Sequence, residues 1–133
     1  TDAFRASSFN PWINISWMIT GKSVSGSEIL AKDNRLTRDQ ALKLFTVGPA
    51  WFEQQENENG RIVPGYLADF ALLNKDFFTI QDDEIKSVTS VLTIVDGRVV
   101  YGAQEYSNLS PKLPETIPAW SPVKYFGGYY NSK

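Results

Sequence analysis

The segment VTSVLTIVDGRVVYG, residues 88–102, constrains the fold of this chain more than any other stretch. It contains two runs rich in β-branched residues, and Asp96-Gly97 lies between them. An Asp-Gly pair suits a two-residue type I′ turn, because both central positions of that turn require a positive φ. The segment therefore predicts an antiparallel hairpin with its tip at Asp96-Gly97.

A first helix is predicted over residues 11–20. Asn10-Pro11 is typical of an N-cap followed by proline at the first helical position, and Gly21 follows the last residue of the apolar pattern. Tryptophans at helical positions are predicted to pack in the core. They are Trp12 and Trp17 in this helix and Trp51 further along the chain. The sequence Asn14-Ile15-Ser16 matches a glycosylation sequon, but it lies within the predicted helix and is no evidence of secretion.

A second helical region is predicted over residues 37–53. Thr37 and Gln40 have the spacing of a capping box, in which each residue satisfies a backbone N–H of the other. We expect Gly48-Pro49 to break the region, with Pro49 starting a second short helix. The residues expected to face the core are Ala41, Leu42, Leu44 and Phe45.

The C-terminal half differs from the N-terminal half in predicted secondary structure and in composition. Residues 60–103 are predicted to be β throughout, with a type II turn at Pro64-Gly65 and a buried strand in ADFALLN, residues 68–74. Residues 104–133 are rich in proline and aromatic side chains, so we expect a tail that runs extended over a surface. The chain thus has the pattern of an α+β protein.

Composition excludes several classes of function. The 13 Lys and Arg residues against 15 Asp and Glu are spread along the chain, so we expect no binding to nucleic acid. No apolar run is long enough to span a membrane, and we expect no membrane partner. The chain has no cysteine and no histidine, which rules out His-containing triads and leaves only carboxylates for any zinc site built from this chain alone. Localisation stays open, with the cytoplasm favoured.

The N-terminus begins TDAFRAS, without an initiator Met or a signal-peptide pattern. We therefore expect this chain to be part of a longer protein.

The order of the pieces resembles the C-terminal end of metal-dependent amidohydrolases of the family-3, YtcJ-like type. The resemblance rests on TD at the start, NPW opening a helix, LTRDQALKLFTVGPAW, GRIVPGYLADF and the DGRVVY hairpin, and it covers nearly the whole chain. In that family a (β/α)₈ barrel carries the metal, and a small β-sandwich packs beside it. The resemblance implies an α+β fragment with the last barrel helices in residues 1–59, sandwich strands in 60–103 and the tail in 104–133.

The same resemblance implies the site residues. Asp2 would stand at the C-terminal end of the last barrel strand, where it contacts the metal and takes a proton from the attacking water. Arg5 lies three residues further on and is a candidate for pairing with an anionic group of the substrate, although a surface arginine is about equally plausible. The expected cofactor is a divalent metal, with zinc favoured, held by histidines of the parent protein. We expect none to bind this chain alone.

The implied partners are the remainder of the amidohydrolase chain, a small amide-like substrate and, as a further possibility, a second copy of the protein. Without the resemblance, Asp2 is an ordinary terminal residue, and the chain is a stand-alone β-rich interaction or oligomerisation module.

Asp69 is interpreted as structural, since an acidic side chain after a turn often satisfies backbone donors. The acidic run Asp82-Asp83-Glu84 lacks the spacing of a calcium loop and is expected to be solvated.

Overall fold

Three helices and three strands lie within residues 8–112, the part of the chain that this computed structural model describes. The helices are α1 (Pro11–Thr20), α2 (Arg38–Lys43) and α3 (Val47–Phe52). The strands are β1 (Phe70–Leu73), β2 (Ser90–Val95) and β3 (Arg98–Gly102). Short 3₁₀ segments occur at Lys32–Asn34, Asp82–Ser87 and Gln104–Leu109.

Helix α1 has the bounds that its capping residues predict. The Asn10 side-chain oxygen accepts a hydrogen bond from the Trp12 N–H at 2.9 Å, which satisfies one of the free donors of the first turn. Gly21 ends the helix in the left-handed conformation, with φ of 70°. A Cβ at this position would lie 2.7 Å from the Leu30 carbonyl oxygen, so glycine is required by space as well as by conformation.

The region 37–53 forms two short helices, and the break lies earlier than predicted. The capping box is confirmed: Thr37 Oγ1 accepts from the Gln40 N–H at 3.2 Å, and Gln40 Oε1 accepts from the Thr37 N–H at 2.9 Å. Helix α2 ends at Lys43, and α3 starts at Val47 rather than at Pro49. Proline is tolerated as the third residue of α3 because the N–H groups of a first helical turn have no intrahelical acceptor.

The three strands form an antiparallel sheet in the order β1-β2-β3. The predicted hairpin is confirmed, since Val95 pairs with Arg98 and the two turn residues have φ of 50° (Asp96) and 70° (Gly97). The prediction that residues 60–103 are β throughout is wrong. The connection from β1 to β2 contains the 3₁₀ segment Asp82–Ser87, which packs on α1.

The main core lies between helices α1 and α2 and the connection from β1 to β2. Its buried members come from distant parts of the sequence: Ile15, Ala41, Phe77 and Ile85. The Phe77 ring packs 5.4 Å from the Trp12 ring and lies under the guanidinium of Arg38, 5.7 Å from the ring centroid. Full burial of an isoleucine or phenylalanine side chain contributes about 1.5–3 kcal/mol. Ile15, Phe77 and Ile85 therefore tie the helices to the β1–β2 connection.

Several side chains predicted to be buried are instead exposed. Of the three tryptophans expected in the core, Trp12 packs against it, whereas 42% of Trp17 and 62% of Trp51 is exposed. Leu44 and Phe45 are exposed as well, because the helix ends before them and the turn that follows carries them away from the core.

The C-terminal tail begins differently from the prediction. Residues Gln104–Leu109 form a 3₁₀ segment that packs against β3 and β2, because the Ala103 N–H is bonded to the Val91 carbonyl at 2.8 Å and the chain turns there. The rest of the predicted tail, residues 113–133, lies outside the described residues. Across residues 8–112, no helix has the length and apolar character needed to cross a membrane.

Candidate functional site

The two site residues that the sequence analysis singled out, Asp2 and Arg5, lie outside the residues that the structure describes. The described part begins at Ser8, just before α1, so the entry to this helix is the described region nearest to Asp2 and Arg5 in sequence.

The entry to α1 is held by a network of three polar side chains. The Asn10 N–H donates to Ser8 Oγ at 3.1 Å, while the Asn10 side chain caps the helix. Asn14 lies one helical turn further along, and its side-chain amide donates to the Ser8 carbonyl and to the Asn10 carbonyl, each at 3.0 Å. Backbone carbonyls on both sides of Phe9 are therefore bonded to one side chain.

Sequence reasoning predicted only Asn10 of this network and missed Ser8 and, above all, the buried Asn14. Asn14 has 4% of its surface exposed, and a buried amide has to find hydrogen-bond partners. The available signal was its position four residues after the N-cap Asn10 inside an otherwise apolar helix, which places it over the helix entry. The sequon that includes Asn14 is not accessible in this structure.

An open cleft of about 330 Å³ runs beside α1. Apolar side chains that include Ile13, Trp17 and Ile29 line it, and its charged lining residues are Lys22, Asp83 and Lys86. The exposed indole of Trp17 thus lies in a concave surface rather than in a flat one. No feature of the cleft selects one ligand class.

Arg38 joins α2 to the connection between β1 and β2. Its guanidinium donates to the Phe77 carbonyl, to the Ile80 carbonyl at 2.5 Å and to the Asp82 carboxylate at 2.7 Å. An arginine suits this position because its planar fork presents several donors at once. Its donors are engaged in holding the fold, which argues against a substrate-binding role for Arg38.

The acidic run at residues 82–84 has structural partners. Asp82 pairs with Arg38, and Glu84 accepts from Lys75 Nζ at 2.6 Å. The hydrogen bond from Lys75, the weaker one from the Gln81 N–H at 3.4 Å and the charge of Lys75 together hold the pKa of Glu84 below its ordinary value. Within residues 8–112 no group of three or more acidic, His or Cys side chains is placed to hold a metal ion, so this part of the chain does not fit a metal site of its own.

Asp69, in the ADF motif, has a partner in the hairpin turn. Its Oδ1 accepts a hydrogen bond from the Asp96 N–H at 2.7 Å, and the neighbouring Ala68 carbonyl accepts from the Gly97 N–H at 3.2 Å. The interpretation of Asp69 as a structural residue that satisfies backbone donors is confirmed.

The sheet exposes apolar side chains that were predicted to be buried. The run ADFALLN does contain β1, but Phe70 is 41% exposed and Leu72 is 44% exposed. These two side chains share one face of the sheet with Leu92 and Ile94, their partners on β2. No other element among the described residues covers Phe70 and Leu72, which is why the prediction of burial fails for this part of the chain.

The comparisons with known proteins agree on one family. Residues 1–101 match the model of the family described as "Amidohydrolase family". The putative amidohydrolase YtcJ of Bacillus subtilis is 36% identical over 62 residues, 47% of this chain and 12% of that protein. The N-substituted formamide deformylase of Arthrobacter pascens is 28% identical over 87 residues, 65% of this chain and 16% of that protein. The matched regions are thus a small fraction of both relatives, and no solved structure matches the chain.

Proposed function

The chain belongs to the amidohydrolase family, and on that premise we propose that it is the C-terminal segment of a metal-dependent hydrolase that cleaves amide-like C–N bonds with water. The observation that carries the proposal is the extent of the family match, which runs from residue 1 to residue 101 and so includes Asp2. The exposed apolar face of β1 also supports the proposal, because exposed apolar faces mark interaction surfaces. Such a face is expected in a segment that packs against further structure.

We assign the domains by the same proposal. Residues 1–59 would supply the last helices of a (β/α)₈ barrel, and residues 104–133 would be a C-terminal tail. Residues 60–103 would belong to a small β-sandwich, to which they contribute the strands β1, β2 and β3. The sheet β1-β2-β3 is then the part of the sandwich contributed by this segment. Its uncovered face would be completed by the remainder of the protein.

In this proposal Asp2 acts as the general base. A carboxylate at the C-terminal end of a barrel strand faces the site where catalytic residues of such barrels gather. Its task would be to accept the proton of the attacking water, and a positioned base of this kind contributes about 10²–10⁴-fold to the rate. Arg5, three residues away in sequence, would bind an anionic group on the substrate.

The metal belongs to the parent protein rather than to this chain alone. A divalent ion, with zinc proposed, would activate the water and polarise the amide carbonyl. This chain has no histidine or cysteine, so the nitrogen ligands that zinc prefers must come from the rest of the protein, with Asp2 as the contribution of this segment. We therefore expect the isolated 133-residue chain to bind no stoichiometric zinc and to show no hydrolase activity.

The substrate class is proposed from the named relative. Because one relative is an N-substituted formamide deformylase, N-substituted formamides and simple N-acyl amides are the first substrates to assay. The alternative function, a stand-alone interaction module, predicts an endogenous protein about as long as this chain. An intact mass several times larger favours the hydrolase, because a barrel of this type needs about 250 residues.

The test compares Asp2→Asn with wild type in the full-length protein. The amide keeps the size of the side chain but cannot accept the proton, so turnover should fall about 10²–10⁴-fold at unchanged metal content and melting temperature. Asp33→Asn is the matched control, since it makes the same chemical change at an exposed residue of a 3₁₀ segment. Near-wild-type turnover in Asp2→Asn would contradict the assignment of Asp2, and zinc-dependent activity in the isolated chain would contradict the composite site.

A further inference from the structure

Strand β1 has one backbone edge that no described strand pairs with. Strand β2 occupies the other edge of β1, and β3 lies beyond β2. The bulge in the β1–β2 pairing places its extra residue, Val91, on β2, so the residues of β1 alternate regularly. The Asn74 N–H bonds to the Thr89 carbonyl at 3.0 Å, which places the backbone groups of Asn74 on the β2 side. By alternation, the backbone groups of Ala71 and Leu73 point away from β2, and within residues 8–112 no backbone hydrogen bond from outside the sheet reaches them.

The two edges of the sheet differ in their protection against further pairing. Strand β3 begins with the charged Arg98 and carries a bulge in its pairing with β2. The segment Gln104–Leu109 packs on it so closely that a Cβ at Gly102 would collide with the Tyr106 carbonyl. Charges, bulges and covering segments are the means by which proteins block an edge, and the four apolar residues of β1 provide none of them. Length does not separate the two, since β3 has five residues.

An open groove of about 490 Å³ runs along this free edge of β1. Its lining is mostly apolar, with Ala71, Leu72 and Leu73 from β1 and Trp12, Leu42 and Phe77 from outside the sheet. The side chain of Leu72 lies on the opposite face of the sheet from those of Ala71 and Leu73. Because residues of both faces line the groove and none of β2 does, the groove follows the edge rather than either face.

We propose that an extended segment from the remainder of the full-length protein binds in this groove and adds a strand to β1. Main-chain hydrogen bonds to a free edge are an established way of joining an extended segment to a sheet. The matched regions cover 12% and 16% of the two relatives, so a parent of similar length would have ample chain to supply the strand. The inference rests on the proposed function only in treating this chain as a segment of a longer protein. It does not depend on the role of Asp2.

The groove sets the chemistry of the added strand. Leu73 packs against the core, so the face that carries Ala71 and Leu73 is the side on which Trp12 and Phe77 lie. Side chains alternate along a strand, and every second residue of the added segment would therefore meet this apolar surface. We expect those residues to be β-branched or aromatic. Lys75, also in the lining, already donates to Glu84 at 2.6 Å, so its charge requires no acidic residue in the segment.

Hydrogen exchange of the full-length protein tests the pairing. The Ala71 and Leu73 amides should exchange at least about 10-fold more slowly than in an unstructured peptide, because a paired amide exchanges only when the strand opens. Exchange of both amides at the unstructured rate would overturn the inference.

Ala71→Pro in the full-length protein tests the same bond by removing its donor. The Ala71 N–H takes no part in the β1–β2 ladder, and Phe70 already has the extended backbone that a residue before proline prefers. Proline is tolerated on an edge strand but removes a ladder bond from an internal one. Ala71→Ser is the matched control, since it keeps the N–H and a small side chain.

We expect Ala71→Pro to melt at a lower temperature than Ala71→Ser and to speed exchange at Leu73. Equal melting temperatures for the two variants would overturn the inference. If Ala71→Pro does not fold, the exchange of Ala71 and Leu73 in the wild-type protein decides the question.

Photo-crosslinking identifies the occupant of the groove. This chain has no cysteine, so Phe78→Cys, at a groove residue that is 59% exposed, can carry a thiol-linked photo-crosslinker in a background without other reactive cysteines. Ile62→Cys is the control, because Ile62 is 85% exposed and does not line the groove. We expect Phe78→Cys alone to be linked to a peptide of the same polypeptide outside residues 1–133. A link to a second copy or to residues 113–133, or no link specific to Phe78→Cys, would overturn the inference.

The Asp2→Asn variant separates the two proposals. Full turnover in Asp2→Asn together with slow exchange at Ala71 and Leu73 would remove the role of Asp2 and leave the added strand in place. Lost turnover in Asp2→Asn together with exchange of both amides at the unstructured rate would leave the proposed function and remove the added strand.

Discussion

The carboxylate of Asp69 accepts a 2.7 Å hydrogen bond from the backbone N–H of Asp96, the first residue of the β2–β3 turn. The two residues are 27 positions apart in sequence, and β1 starts immediately after Asp69. The contact therefore joins the entry of β1 to the tip of the hairpin. Asp96 itself has φ of 50°, a conformation that non-glycine residues adopt at a cost, and the bond helps to hold it there.

Replacing Asp69 by Ala should lower the free energy of unfolding by about 1 kcal/mol, because the Asp96 N–H loses its protein acceptor. Both residues are exposed, so the Asp96 N–H can donate to water in the variant, which reduces the loss of stability. Asp69→Asn keeps an acceptor oxygen in the same place and is the control, with a smaller expected loss. Chemical denaturation measures both, and equal midpoints for wild type and Asp69→Ala would contradict a stabilising role for the bond.

Gly97→Val should destabilise the chain by about 1 kcal/mol or more, since a β-branched residue resists the positive φ of 70° found at this position. The space around Gly97 is open, and a Cβ added there would meet no atom within 4 Å, so the cost is conformational and not steric crowding by neighbours. Gly97→Asn is the control, because asparagine tolerates the left-handed region. A valine variant as stable as the asparagine variant in denaturant unfolding would count against the type I′ turn.

The Lys75–Glu84 pair predicts a dependence of stability on pH. Because the pKa of Glu84 is lowered in the folded protein, chiefly by the hydrogen bond from Lys75, the pair stabilises the fold above the ordinary value of 4.5. This contribution is lost as the pH falls through the lowered pKa. Glu84→Gln should therefore have a lower melting temperature than wild type near neutral pH, and the difference should shrink on acidification.

Lys75→Met is the matched variant for the same pair and should show the same convergence with wild type at low pH. Both partners are partly exposed, so added salt should reduce the difference at neutral pH as well. A difference that stays constant across the acid range would mean that the pair does not account for it.

The isolated chain should self-associate through the uncovered face of the sheet. Phe70 and Leu72 lie on that face, and exposed apolar sheet surfaces and unpaired edges favour association. The double change Phe70→Thr and Leu72→Thr should shift sedimentation profiles toward the monomer. Ile62→Thr is the control, since Ile62 is more exposed than either but lies outside the sheet. A stable wild-type monomer would contradict the prediction.

The elements that sequence reasoning located correctly depend on neighbours along the chain. The Asn10 cap, the Thr37–Gln40 box and the Asp96-Gly97 turn each satisfy hydrogen bonds or backbone angles within four residues. Such local preferences act before any tertiary contact is made. The assignments of Asp2 and Arg5 came from the family resemblance, and they stay predictions because both residues precede the described part of the chain.

By itself, the sequence determined where helices and turns begin, which side chains are apolar and which family the motifs resemble. Only the tertiary structure decided which apolar residues are covered: Ile85 is buried against α1, while Trp51 and Phe70 are exposed. It also decided the partners of Asn14 and Asp69. The physical reason is that burial and long-range hydrogen bonds depend on which distant segments meet, and a periodic pattern records only that a side chain is apolar, not what will cover it.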